Sequence, residues 1–433
     1  MARWLEGMRT RKTGMLLSRA VLLEHVSSTI FFFAICMTTL TSSYAQPGFL
    51  SIDCGSSVAV YNDSLGLAWF TDNGTYIKTG ATFQQSYVNW SFLNSSAWSG
   101  VQALQSFRYF PELRNKYCYE LDTEPNYSYL IRAGFYMNAE ELTKRAPFQF
   151  STHLNGSLWF TLNSSSGNQQ DGEDLFDARE AIFYASGPAL YFCIQPMLGV
   201  PFISSLELRQ LTPTMYKFSG SQVQYLSLLF RYNLGPSTTS TPNIQEAVRF
   251  PDDSYDRIWE PFPWMKDPCN QNNGITSCGS NPTPQAANAT ADINYVPPKV
   301  MQGAWLFQSH ALTGFPVGIY NNYTPQVQLP PLELTYMISY LQDLNSSNLE
   351  TYGIEISVGT GPDTLVTGLV NVSNQASMLV YPNNLMESAF YSYWVQLVPG
   401  TSHQGFLPLN AVEAYARYDF DSSSTLSDEG MLP

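Results

Sequence analysis

Apolar and polar positions along the chain alternate with a period of two far more often than they recur every three or four residues. Runs of five to nine residues with strand character lie at Phe49–Asp53, Tyr129–Tyr136, Phe148–His153, Leu158–Leu162, Glu180–Tyr184 and Ala189–Ile194. Six more follow at Ser205–Leu211, Leu226–Tyr232, Leu332–Tyr340, Gly353–Val358, Tyr391–Leu397 and Val412–Tyr418. Gly, Pro, Asn and Ser clusters separate them, a spacing that predicts an all-β sandwich or barrel. Short helices fit only around Pro111–Lys116 and Asn138–Lys144.

The pattern also resembles itself. Leu50–Gly55 matches Phe230–Gly235, a strand running into glycine, and Asp72–Ile77 matches Asp252–Ile258, both at an offset near 180. Tyr129–Tyr136 matches Leu334–Leu341, and Ser204–Leu208 matches Asn410–Ala414, at an offset near 205. The growth of about 25 residues is explained by Asp267–Asn294, a stretch almost devoid of apolar side chains. Loose alignment of β segments by alternation alone is the competing explanation. Four collinear matches with one insertion predict two β lobes in tandem, 49–212 and 222–420, the second carrying the polar insert 267–294. The polar, acidic tail 421–433 is expected to be disordered.

Residues Ser27–Leu40 form an uncharged, mostly apolar stretch after a basic segment, followed by Ser43-Tyr44-Ala45. Small residues at −3 and −1 suit signal peptidase, so residues 1–45 are expected to be a cleaved signal peptide. An uncleaved anchor is the alternative, but the run falls short of the ~20 residues that span a bilayer. Eleven N-x-S/T sequons support export: Asn62, Asn73, Asn89, Asn94, Asn126, Asn155, Asn163, Asn288, Asn322, Asn345 and Asn371. Beyond the leader five cysteines remain, Cys54, Cys118, Cys193, Cys269 and Cys278, an odd number that leaves at least one unpaired in the chain. Cys269 and Cys278 flank one loop and are the nearest disulfide candidates, and no C-x-x-C suggests zinc.

Charge narrows the partners. The 433 residues hold 21 Lys+Arg and 35 Asp+Glu, a net charge of −14, which becomes −17 once residues 1–45 are removed. Nucleic acid is therefore not an expected partner, because affinity for a phosphate backbone comes from clustered Lys and Arg. Aromatics at 14% supply ample core material, which excludes disorder, collagen and coiled coil.

Enzyme chemistry finds little support. His153, His310 and His403 stand without i, i+4 partners, and no Gly-x-Ser-x-Gly elbow occurs. His153, on a strand with Phe148 and Phe150, reads as structural. Asp171-Gly172-Glu173-Asp174 with Asp177 reads as a solvated loop, with a calcium site or a glycosidase carboxylate pair as alternatives. Asp252, Asp253, Tyr255, Asp256, Arg257 and Trp259 read as a structural motif in which Arg257 pairs with carboxylates under the indole. No catalytic residue, metal or cofactor is expected.

Several stretches resemble the plant malectin-like domain family. They are Phe49–Gly55, Tyr76–Gly80, Arg108–Pro111 with Arg114–Tyr119, Pro201–Leu208 and, most specific, Arg249–Trp259. The resemblance covers roughly 49–420 and implies two tandem malectin-type, jelly-roll-like β-sandwich lobes outside the cell. Family members usually continue into a kinase, whose GxGxxG, HRD and DFG motifs this sequence lacks. The expected identity is a stand-alone ectodomain, a natural short form or an incomplete gene model.

Function is therefore expected to be recognition. Trp69, Phe70, Tyr76, Tyr109, Tyr136 and Glu140 sit near strand ends of the first lobe and are the candidate ligand contacts, since sugars bind aromatic faces ringed by acceptors. Animal malectin carries an aromatic pair soon after the strand corresponding to Leu130–Tyr136. This chain has Asn138-Ala139-Glu140 there, so glucose-type binding is not expected. The expected partners are cell-wall carbohydrate or a basic secreted peptide, with a membrane co-receptor as a further candidate. A chain at −17 suits the basic peptide better than acidic pectin. The alternatives are a truncated malectin-like receptor kinase and a jelly-roll glycoside hydrolase.

Overall fold

The computed structural model describes residues 46–90, 93, 97–98, 101–164 without 113, 173–216, 223–233, 247–261, 277–280 and 296–301, and further strands between 303 and 419. The leader through Ala45, the tail beyond Phe420 and Cys269 lie outside the described residues.

Strands β1 to β15 are Phe49–Asp53, Val60–Asn62, Ala68–Thr71, Ala81–Gln84, Ser106–Tyr109, Tyr117–Asp122, Ser128–Met137, Gln149–Leu154, Ser157–Asn163, Leu175–Tyr184, Ala189–Leu198, Phe202–Ile203, Ser205–Gln210, Val223–Asn233 and Glu260–Pro261. Every strand read from the alternation is present within a few residues, and the described residues form mostly strands with few helices. The exception among predicted elements is Pro111–Lys116, whose described residues form bends and no helix. The other predicted helix is real, at Ala139–Arg145, with Asn138 Oδ1 accepting from Glu141 N as the N-cap. Glu140 and Glu141 in its first turn and Lys144 and Arg145 in its last complement the helix dipole.

A long sheet forms the spine, with order β2-β3-β1-β13-β7-β10-β14, then Ala411–Asp419, Leu334–Tyr340 and Met378–Val380. Strand order repeats within it. The antiparallel run β1-β13-β7-β10 is followed by β14, 411–419, 334–340 and 378–380 in the same relative order of chain position. Two smaller sheets repeat likewise. β6-β11-β8-β9 is echoed by 314–318, 392–399, 350–358 and 364–372, and β12-β5-β4 by 406–409, 303–308 and 277–280.

Strand β7, at the centre of the spine, is buried on both faces. Tyr129, Ile131, Ala133, Phe135 and Met137 point into a core shared with Tyr119 of β6, Phe150 of β8, Phe160 of β9 and Phe192 of β11. Its even positions face the other way, Leu130 into one apolar cluster and Tyr136 into another. Period-two side-chain placement makes this division automatic. The odd face supports edge-to-face aromatic contacts, such as Phe135 with Phe160 at 5.8 Å and with Phe202 at 6.0 Å. Gly55, after β1, has φ of +92°, and a Cβ there would lie 2.4 Å from the Phe107 carbonyl oxygen. Only glycine fits so close an approach.

Candidate functional site

The six candidate ligand contacts do not form one surface. Trp69 and Tyr136 are corrected from surface platforms to core residues, 1% and 0% exposed, and their rings offer no open face. Trp69 Nε1 donates to Asp63 Oδ2 at 2.9 Å, and the Tyr136 hydroxyl donates to Asp174 Oδ2 at 2.6 Å. Tyr76 and Tyr109 are half-buried against the large core, and the Arg145 guanidinium covers Tyr109 at 4.7 Å from its centroid. Phe70 is half-buried on β3. Glu140 is exposed and accepts from Lys144 Nζ at 2.8 Å, which holds its carboxyl below the usual range.

Asp174 is likewise corrected from a solvated loop position. It is buried and accepts from Ala139 N at 2.8 Å, tying the end of β7 to the start of β10. No cluster of metal-ligating side chains occurs among the described residues. His153 is half-buried beside Ser151 Oγ at 2.9 Å, and burial followed by Lys116 pushes its imidazole down. The sequon residues Asn62, Asn73, Asn126 and Asn155 are exposed.

Charge occupies the centre of the spine. On one face, Glu207 of β13 stands opposite Arg132 of β7, and Arg132 stands opposite Glu180 of β10. Farther on, Arg231 of β14 stands opposite Glu413. Glu180 and Arg231 close the row, Oε1 to Nη2 at 2.6 Å, so charges alternate across five strands. Residues Val248–Trp259 lie over the row, closed by paired backbone hydrogen bonds between Val248 and Trp259. From this cover Asp256 accepts from Arg132 Nη1 at 3.3 Å, Arg209 Nε at 3.0 Å and Arg249 Nη2 at 3.1 Å. Asp253 Oδ2 accepts from Arg257 Nε at 2.8 Å and Trp259 Nε1 at 2.7 Å, and the guanidinium lies 5.2 Å from the indole centroid. Five carboxylates (Glu180, Glu207, Asp253, Asp256, Glu413) thus meet five guanidiniums (Arg132, Arg209, Arg231, Arg249, Arg257), all buried. Burial alone would push the Asp256 carboxyl up, but Arg249, Arg209 and Arg132 together hold it well below the usual carboxylate range.

A second polar cluster sits at the end of β1. Asp72 accepts from Arg108 Nε at 2.5 Å, Arg108 Nη2 at 2.6 Å, the Tyr119 hydroxyl at 2.8 Å and Gly55 N at 3.2 Å. Next to it, burial pushes the Asp53 carboxyl up to about 6, against the hydrogen bonds from Ser106 and Tyr61. The native state therefore keeps a proton that the unfolded chain, near 3.8, has already lost. Folding stability is expected to fall by up to ~3 kcal/mol as pH rises from ~4 to ~6. Asp53→Asn should flatten that window in urea titrations run across it, and an unchanged slope would refute the assignment.

One cavity, of about 250 Å³, lies where the halves of the spine meet. β10 pairs with β14 only over Ala181–Phe183 and Tyr225–Ser227, whereas β10 pairs with β7 along its whole length. Beyond Glu180 and Leu228 the two strands diverge, and β15 joins β14 in parallel at Tyr232 and Glu260. The cavity opens in that divergence, walled by Trp98, Phe230, Tyr232, Glu180, Arg231 and Glu260 among others. Phe230 and Tyr232 stack at 4.9 Å.

The family model for the malectin-like domain matches residues 52–417. The chain belongs to the malectin-like family. It is 30% identical over 262 residues to a probable leucine-rich-repeat receptor-like serine/threonine-protein kinase of Arabidopsis thaliana, covering 59% of this chain and 25% of that protein. A second such kinase from the same plant is 31% identical over 223 residues, covering 50% of this chain and 22% of its own length. The chain thus matches about a quarter of the length of these curated relatives. Among solved structures it resembles the Arabidopsis thaliana ANX2 ectodomain, with TM-score 0.60 and 13% identity, over 86% of this chain and 97% of that one. It also resembles the plant receptor-like kinase FER, at 0.60 and 14% over 86% and 96%, and a complex of the plant peptide RALF23 with FER and LLG2, at 0.59 and 13% over 87% and 96%. These likenesses establish the fold. No helix among the described residues of this malectin-like chain is long and apolar enough to cross a membrane.

One disulfide among the described residues of the malectin-like chain joins distant parts of the sequence. Cys118 of β6 and Cys193 of β11 are register partners and form a disulfide across 75 residues. Cys54 is a buried free thiol, and Cys278 stands in the strand Ser277–Ser280. Closing a loop of that size is worth about 4 kcal/mol by the chain-entropy account. Cys118→Ser with Cys193→Ser is expected to lower the unfolding free energy from urea titration by about that amount, and an unchanged midpoint would contradict it.

Proposed function

We propose that this chain is an extracellular, non-enzymatic recognition module that binds a basic secreted peptide. The observation that carries the reading is the likeness, over most of the chain, to an ectodomain solved in complex with a peptide and a second protein. Its acid excess supports the same choice, because a net charge of −14 for the whole sequence attracts cationic ligands and repels pectin. Burial of Trp69 and Tyr136 removes two of the aromatic faces that a carbohydrate site would use, which makes wall carbohydrate the lesser alternative. A membrane co-receptor is the expected third component. The repeated strand order supports a division into two lobes, 49–212 and 222–420, and the exposed sequons support glycosylation on the way through the secretory route. A second reading, the ectodomain portion of a receptor kinase, is favoured by the kinases among its relatives.

A glycan array and a basic-peptide panel run side by side, and repeated at high salt, test the proposal. Peptide binding that weakens with salt is the expected result. Selective glycan binding without peptide binding would overturn it, as would turnover of wall glycans abolished by Glu140→Gln. In-frame leucine-rich or kinase sequence in a transcript read past the codon for Pro433 would favour the second reading.

A further inference from the structure

We propose that the cavity in the seam between β10 and β14 receives one cationic side chain, a guanidinium, from a peptide partner. This rests on the reading of the chain as a peptide-recognition module and assigns that reading a site. At about 250 Å³ the cavity is smaller than the ~300–1,000 Å³ that holds a drug-sized ligand, so it suits one side-chain head group.

The donor and acceptor inventory decides the sign of the charge. Arg132, in the cavity wall, spends its N–H groups on Glu180, Glu207, Asp256 and the Asp256 carbonyl. Arg231 spends its own on Glu413, the Tyr415 hydroxyl and the Ile258 carbonyl. Arg179, the third guanidinium in the wall, is paired with Asp177 through Nε at 2.7 Å and Nη2 at 3.0 Å, so all three wall cations already have carboxylate partners. Acceptors are what remain. Glu180 is 6% exposed, and its Oε1 has the single ion-pair contact to Arg231 Nη2 at 2.6 Å among the described residues, which leaves a lone pair for a further donor. Glu260 lines the same cavity and is half-buried. Around these oxygens stand Trp98 and the Phe230–Tyr232 stack, whose faces attract a guanidinium. A buried carboxylate with acceptor capacity to spare, a second carboxylate and an aromatic wall therefore converge on one space. A planar five-donor cation satisfies all three.

The probe is a capped, fluorophore-labelled pentapeptide Gly-Gly-Arg-Gly-Gly, compared with the same peptide carrying citrulline, its neutral near-isostere. Fluorescence anisotropy should show the arginine peptide binding, with citrulline weaker by about tenfold or more, as loss of charge-assisted hydrogen bonds demands. Glu260→Gln should weaken the arginine peptide by about tenfold, and Tyr232→Leu by about three- to tenfold. Thermal unfolding of both variants checks that they are folded, and Tyr232→Leu carries the test should Glu260→Gln not fold. Equal binding of the two peptides, preference for a glutamate pentapeptide, or no binding at all overturns the site. If panel peptides bind with affinities unmoved by both substitutions, the site falls while the peptide reading stands. If no panel peptide binds but the arginine probe does, with the stated losses, the site stands and the peptide reading falls.

Discussion

Asp256→Asn is expected to destabilise the fold by about 3–5 kcal/mol, the cost of breaking a buried ion pair from one side. Asp256 is fully buried against Arg132, Arg209 and Arg249, and it is a counter-ion shared by all three. Arg132 and Arg209 retain Glu207, but Arg249 keeps only the Ala97 carbonyl at 2.9 Å and Glu207 at 3.9 Å. Asn isolates the charge, because it preserves shape and tolerates the positive φ of 53° that Asp256 adopts. Against the ~5–15 kcal/mol of total stability usual for a folded protein, the loss should cut the yield of folded protein and lower the urea midpoint. The wild type should give up that stabilisation progressively on acidification below ~4, where the unfolded chain gains a proton that native Asp256, held by its three arginines, refuses until well lower pH. Asp256→Asn should lack that acid limb. A loss under ~1 kcal/mol would show that the row tolerates an unbalanced charge and would refute the account given of it.

Asp72→Asn is expected to cost about as much, again ~3–5 kcal/mol. Asp72 is fully buried and anchors Arg108 through two hydrogen bonds, the Tyr119 hydroxyl through a third and the Gly55 backbone through a fourth. An amide turns one acceptor into a donor that faces Arg108, leaving the guanidinium both uncompensated and opposed. The double variant Asp72→Leu with Arg108→Met removes both charges and should recover part of the loss, since apolar replacement of a whole buried pair is often neutral. Urea unfolding of the two singles and the double closes a mutant cycle. Additive losses would mean that the pair does not act as a unit.

The legible part of this protein is what repeats within a few residues. Alternation at Tyr129–Tyr136 marks β7, although both faces are buried, because its odd positions are apolar and Arg132 breaks the even set. The Asn138 cap and the acidic first turn after it mark the one confirmed predicted helix. Short edge strands such as Val60–Asn62 and Ala81–Gln84 escaped, since three or four residues carry no period. Trp69 and Tyr136 were read as strand-end platforms because an aromatic side chain has the same letter inside and outside. Only the Asp63 and Asp174 acceptors reveal that each polar tip is satisfied within the fold.

Taken alone, the sequence determined the strand content, the approximate strand positions, the acid excess and the malectin-like motifs. Each is a property of local order or of composition, and burial of alternating apolar positions follows from it directly. The tertiary structure decided partnership. It joined Cys118 to Cys193 across 75 residues and Arg231 to Glu413 across 182, and it parted β10 from β14 to leave a cavity. Register and contact between distant strands depend on how whole sheets stack, and no window of the chain contains both sides of such a contact.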